Sequence, residues 1–246
     1  MKSILNISTY KFVSLSDTAG WRESIRSQAT LHGLKGTVLL ASEGINLFVA
    51  GSEAPVRAFL AWLMAHEAFR DLPIKESWSV DVPFGKLLVK VKPEIIRMNH
   101  PMIKPQDARA PAIDATTLAR WLAVGVDDAG REVVTLDTRN AFEVDHGRFA
   151  NAIDWRIGKF SEFPGALQAH LAELEGKTVV SYCTGGIRCE KAALLMREAG
   201  VENVLQLDGG ILRYFEEAGG QHFEGNCFVF DQREALSDTL LPSTRV

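Results

Sequence analysis

The stretch VVSYCTGGIRCEKAA, residues 179–193, decides how this chain folds. An apolar, β-branched run ends at Cys183, two glycines follow at 185 and 186, and a helical pattern begins around Arg188. A buried strand, a short glycine loop and a helix in succession form one βα unit of a parallel α/β sheet. Sheets of this kind place their ligands on the loops at the carboxyl ends of the strands.

The loop has a specific chemistry. A thiol attacks as thiolate, so a reactive cysteine needs something that lowers its pKa. The N-terminus of a helix supplies unpaired N–H groups and a partial positive charge. Gly185 and Gly186 let the backbone curl so that several N–H groups point inward, and Arg188 adds a permanent cation. The pattern predicts Cys183 and Arg188 as the catalytic pair, with Thr184, Gly185, Gly186 and Ile187 as the substrate-binding cradle of a thiolate, a persulfide or another anionic sulfur. Four residues separate Cys183 from Arg188. Cysteine phosphatases have one more, making a ring wide enough for phosphate, so the tighter loop argues against phosphatase activity. An isolated cysteine after a strand would read as a small buried hydrophobe; the complete strand–Cys–Gly-Gly–Arg–helix order does not. Cys189 reads as a packed helix residue, with a resolving thiol as the alternative. Cys227 reads as structural.

Outward from the loop, strands and helices alternate. TTLARWLA predicts a helix, EVVTLDTR a buried strand, residues 160–174 a helix and KTVVSYC a buried strand. RCEKAALLMREAG is a helix ended by Gly200, VLQLDGG a strand and ILRYFEEAGG a helix ended by glycines. This alternation predicts right-handed crossovers and a parallel sheet over residues 114–222. Residues 223–246 are read as a C-terminal tail.

The first half has another rhythm. ILNISTYKFVSL predicts a strand, Asp17 or Thr18 caps a helix to about Leu31, and GTVLLA–SEG–INLFVAG is a hairpin. A helix from Ser52 aligns Val56, Phe59, Leu60, Leu63 and Met64 on one face, and IKESWSVDVP and KLLVKVKPEII add two strands. The order predicts a small α+β domain over residues 1–97, with helices on one face of an antiparallel sheet. MNHPMIKPQDARAPAI, residues 98–113, is read as a linker. Lys86, Lys90 and Lys92 share strand parity, with Leu87, Val89 and Val91 facing the core. That lysine row suits either a phosphate backbone or plain solvent.

Bulk composition sets the limits. Of 246 residues, 46% are hydrophobic and 24% charged, and the net charge of -4 does not by itself call for a polyanion. The opening MKSILNISTYKFVSL is broken by Asn6, Ser8, Thr9 and Lys11 and lacks a small-residue cleavage site, so it does not read as a targeting segment. No stretch approaches the ~18 apolar residues of a membrane helix. Three cysteines are too few for a disulfide framework, which predicts a cytoplasmic protein with free thiols. His32, His66, His100, His146, His170 and His222 form no spaced pair, and no GxGxxG follows a strand. No metal and no bound cofactor are expected.

LDTRNAFEVDHGRFANAID (136–154), the CTGGIR loop and LDGGILRY (207–214) together resemble a rhodanese domain. With GTVLLASEGINLFVAG (36–51), PFGKLLVKVKPEII (83–96) and GNCFVFDQR (225–233), the resemblance narrows to the oxygen-dependent tRNA uridine-34 hydroxylase family. It covers about residues 4–234 and is closest to the shorter branch, which lacks a cysteine-rich C-terminal extension. The resemblance implies a ferredoxin-like, acylphosphatase-like first domain before the rhodanese domain. It implies 5-hydroxyuridine formation at the tRNA wobble position, with molecular oxygen as co-substrate. Asp137 and Arg139 then support the site, or make an ordinary salt bridge, and Lys86, Lys90 and Lys92 become candidate tRNA contacts. Glu43 and Asn46 are candidates for contacts with a base or between domains, and Tyr182 and Trp155 for stacking platforms or core. No membrane association and no obligate protein partner are implied. A sulfurtransferase passing sulfane sulfur through a Cys183 persulfide is the alternative, and a non-catalytic binding module a third reading.

Overall fold

A computed structural model describes residues 3–243 of the chain. The chain divides into two compact units: one runs to Arg97 and takes in Phe230–Arg233, and the other holds Met98–Val229 and resumes at Glu234.

In the first unit, β1 (Ile4–Phe12), α1 (Thr18–Leu31), β2 (Lys35–Ala41), β3 (Gly44–Ser52), α2 (Glu53–Met64), β4 (Lys75–Ser79) and β5 (Leu87–Val91) follow the predicted order. Asp17 caps α1 by accepting from the Gly20 amide at 2.8 Å. Alternate residues of β3, Ile45, Leu47 and Val49, are fully buried or nearly so, in one core with Ile25 of α1 and Phe59 and Leu63 of α2. The sheet order is β4-β1-β3-β2-β5. It corrects the expectation of a purely antiparallel sheet, because β5 joins β2 in parallel. The long connection through α2 and β4 carries the chain across to the far edge, which a hairpin cannot do. At that edge only Val89 is buried; Val91, expected in the core, is 42% exposed.

The second unit contains β6 (Ala112–Ile113), α3 (Ala115–Val124), β7 (Val133–Asp137), α4 (Ala141–Val144), β8 (Gly147–Phe149), α5 (Phe163–His170) and β9 (Thr178–Tyr182). It continues with α6 (Ile187–Glu198), β10 (Asn203–Leu207), α7 (Gly210–Ala218), β11 (Phe223–Gly225), β12 (Cys227–Phe228) and β13 (Ala235–Leu236). β6, β10, β9 and β7 form a parallel sheet in that order. Every residue of β9 is buried, as a strand with neighbours on both edges and both faces covered requires. Cys183 therefore emerges at the carboxyl end of an interior strand. Residues 112 and 113, placed in the linker by the sequence, add the edge strand β6.

Candidate active site

The chain turns sharply between β9 and α6, and glycine makes the turn possible. Gly186 caps α6 with φ 97°, a left-handed conformation that disfavours side chains. Its amide donates to Cys183 Sγ at 3.1 Å. Cys183 and Gly186 are buried, whereas Thr184 and Gly185 are partly exposed and form the rim.

Two buried ion pairs lie in this unit, and the Arg188 charge acts on the Cys183 sulfur. Arg188, in the first turn of α6, donates from both terminal nitrogens to Glu143 at 2.6 and 2.8 Å. Glu143 is fully buried on α4, and its carboxylate also accepts from the Asn140 amide at 3.1 Å. Arg139 is also fully buried; it meets Asp137 at 2.6 Å and donates to the Gly147 carbonyl at 2.6 Å. Both guanidiniums are penalised by burial, but their carboxylate partners raise their pKa values, so both stay charged. Arg188 Nε is buried and makes no hydrogen bond within the described residues.

These charges set the acidity of the thiols. Burial pushes the Cys183 thiol up, but a hydrogen bond from Cys189, the Arg188 charge, and the amides of Arg188 and Gly186 outweigh it and hold the group down at about 5. Cys189 moves the other way, raised by burial and then by its bond to the Cys183 sulfur. Cys183 carries the negative charge, and Cys189 keeps its proton. Thr138 Oγ1 lies 3.8 Å from Cys189 Sγ and donates to the Tyr182 carbonyl at 2.9 Å.

The carbonyls of the loop are held from outside. The amides of Ile211 and Leu212, opening α7, donate to the Cys183 and Thr184 oxygens at 3.0 and 3.1 Å. Gly210 (φ 67°) lies so close that a Cβ there would sit 2.4 Å from the Cys183 oxygen and 2.7 Å from the Gly186 nitrogen. With its carbonyls drawn outward, the loop is left presenting amides to the sulfur. The arrangement can stabilise a thiolate or another anionic sulfur and can carry out nucleophilic attack. Among the described residues, no three His, Cys, Asp or Glu side chains converge as a metal-binding group.

Comparison with known proteins extends the picture to both units. A family model for the UPF0176 acylphosphatase like domain matches residues 4–95, and one for the rhodanese-like domain matches residues 118–217. A tRNA uridine(34) hydroxylase of Bordetella avium (strain 197N) is 62% identical over 240 residues, covering 98% of this chain and 99% of that protein. Another, of Variovorax paradoxus (strain S110), is 62% identical over 240 residues, covering 98% and 91%. The chain belongs to the tRNA uridine(34) hydroxylase family.

Several residues singled out by their sequence context can now be placed in this family member. Cys183, Thr184, Gly185, Gly186, Ile187, Arg188, Asp137 and Arg139 lie in one unit, with Ile187 buried on the first turn of α6. Lys86, Lys90 and Lys92 are exposed and lie in the other, only Lys90 within a strand. Tyr182 is not a stacking platform: it is fully buried against Phe149, 4.8 Å between ring centroids. Trp155 is half-buried, stacked on His170 and bonded to Glu173. Glu43 accepts from the Ile95 amide at 2.7 Å and Asn46 donates to its carbonyl at 3.4 Å, so both brace a segment of their own unit. The sequence reading missed Glu143 as the partner of Arg188, although an acid in the DTRNAFE segment was the available signal. It also missed the hold of α7 on the loop, which leaves no residue-type signature because amides make it.

Proposed function

We propose that this chain is a cytoplasmic enzyme that hydroxylates C5 of uridine 34 in tRNA, with Cys183 as its nucleophile. One observation carries the assignment of the site: in a chain related to such hydroxylases over nearly its full length, the Gly186 amide donates to the Cys183 sulfur at 3.1 Å, and the Arg188 charge holds that sulfur's pKa down. At neutral pH it is a thiolate and needs no separate base.

Sγ adds to C6 of the uracil. The S–C6 bond forms as the C5–C6 π bond opens, and its electron pair passes to C5 and the O4 enolate. Arg188 Nε offers a buried donor for the oxygen on which charge grows. C5 becomes electron-rich and takes one atom of molecular oxygen. The second oxygen atom leaves as water, its two electrons and two protons coming from an external dithiol, which is oxidised to the disulfide. Loss of the C5 proton and expulsion of Sγ restore the C5–C6 double bond. No bound metal or organic cofactor enters this scheme. Lys86, Lys90 and Lys92 contribute cationic contacts to the tRNA backbone.

Sulfur transfer would use the same loop, but it gives no use to the first unit, which the relatives share. Mass spectrometry of tRNA nucleosides from a deletion strain is the test. Loss of 5-hydroxyuridine and its derivatives, restored by the intact gene and not by Cys183→Ser, is the expected result. Unchanged nucleosides in a strain with no redundant enzyme would remove the proposal, and efficient thiosulfate-to-cyanide transfer would then favour the alternative.

A further inference from the structure

The helices of the first unit border a cavity of about 760 Å3 that the chemistry at Cys183 does not use. That volume is in the range of small-molecule sites. Its lining on α1 runs from Asp17 to Gln28, about 16 Å at 1.5 Å per residue. Trp62, on α2, and His66, just past its end, line it as well. Three of the lining side chains are aromatic, and the His66 ring touches both indoles. It meets Trp21 at 5.0 Å and 80°, and Trp62 at 5.3 Å and 79°. Phe69 and Phe59, both fully buried, back the two indoles at 4.8 and 5.9 Å, and the indoles themselves stay partly exposed.

Charge and shape name the ligand. Asp17 and Glu23 line the cavity, and among its lining residues there is no lysine or arginine. Asp17 Oδ1 accepts from the Gly20 amide, while Oδ2 has no hydrogen-bond partner among the described residues. A Cβ at residue 20 would collide with Oδ2, so glycine keeps that oxygen's place. Glu23 meets Arg22 at 3.3 Å, but both are exposed, and water and salt weaken such a pair. Rings at nearly right angles form walls, which suit a compact cation better than a flat base, and indole is the strongest aromatic partner for a cation. We propose that this cavity binds a linear polyamine, its ammonium groups shared between the Trp21, Trp62 and His66 rings and the Asp17 and Glu23 carboxylates. An amine with N–H groups can donate to Asp17 Oδ2 and to the Gln28 amide oxygen, which a quaternary ammonium cannot. An extended chain also matches the length of the lining. The site lies within one unit and does not rest on the hydroxylase reading.

Equilibrium dialysis of the full-length protein against labelled spermidine at low ionic strength tests the site. Wild type is expected to show a single saturable class of site. Trp62→Leu is expected to weaken binding about tenfold, the scale of a desolvated cation–π contact. Trp62→Phe, which keeps a ring, should lose less. Asp17→Asn, which still caps α1, combined with Glu23→Gln should also weaken binding about tenfold. Thermal melts of these variants should stay near that of wild type, so that weaker binding reads as lost contact and not as lost fold. Tetramethylammonium carries the charge without N–H groups and should displace the label only at concentrations about tenfold above those of unlabelled spermidine. No saturable binding to wild type, or wild-type affinity in Trp62→Leu and in the Asp17→Asn, Glu23→Gln protein, overturns the site. Tetramethylammonium competing as well as spermidine overturns the polyamine. Formation of 5-hydroxyuridine by the same protein is a separate readout, so the hydroxylase reading stands or falls independently of these results.

Discussion

Cys183 and Cys227 are both fully buried in the same unit, yet their thiols behave in opposite ways. Burial raises the Cys227 thiol to about 12, only partly offset by Arg139, whereas Cys183 is held at about 5. Desolvation is the largest influence on each, and it disfavours the charged form of each. The difference lies in the donors: Cys183 has a neighbouring thiol, a guanidinium and two amides directed at it. Reactivity here comes from partners, and burial alone gives an inert thiol.

The comparison can be broken most sharply by exchange of the sulfurs. Cys183→Ser should abolish 5-hydroxyuridine formation, while Cys227→Ser should leave it within a few-fold of wild type, both read by nucleoside mass spectrometry. Next in size is Arg188→Met. It leaves Glu143 charged and buried, which should cost about 3–5 kcal/mol in a urea melt, and it should raise the pH midpoint of Cys183 alkylation. Adding Glu143→Gln should recover part of the stability without restoring the midpoint. Gly210→Ala, which forces a Cβ against the Cys183 oxygen at φ 67°, should cost about 1–3 kcal/mol and raise the midpoint less.

The pH dependence itself separates the two cysteines. The Cys183 pKa is lower in the folded chain than in the unfolded one. Its stabilising contribution is full above the unfolded value of about 8.5, declines as pH falls, and is gone below about 5. Cys227, raised to about 12, makes the fold lose stability as pH climbs from its unfolded value toward 12. Urea melts of Cys183→Ser and Cys227→Ser against wild type at pH 5, 7 and 9.5 should show opposite trends. Cys189→Ser is the finest probe: a hydroxyl keeps a donor near the sulfur, so the alkylation midpoint should move by less than in Arg188→Met. An unchanged midpoint in Cys189→Ala, which removes the donor, would show that Cys189 does not set the acidity.

What could be read from the residues was mostly local. The order Cys–Thr–Gly-Gly–Ile–Arg identifies a loop because the turn, the amides and the cation lie within six positions of one another. Strand–helix alternation gave the parallel sheet for the same reason, since each element announces its own period. The misses were contacts between distant positions. Glu143 is 45 residues from Arg188, β5 pairs with β2 across a sequence gap that holds three other elements, and α7 reaches the loop through backbone atoms alone. Val91 followed strand parity on paper, but parity gives the direction of a side chain and not whether anything covers it. Tyr182 read more readily as core than as platform, and Phe149, in a different strand, packs against it.

The grip of α7 on the Cys183 and Thr184 carbonyls also has a consequence in time. During synthesis, the ribosome releases the cysteine well before residues 210–212. Until those residues emerge and dock, the Cys183 and Thr184 oxygens lack the two amides that hold them in the finished fold. The reactive loop is thus completed by a helix translated more than two dozen residues after the cysteine it braces, so its final shape waits on chain that leaves the ribosome later.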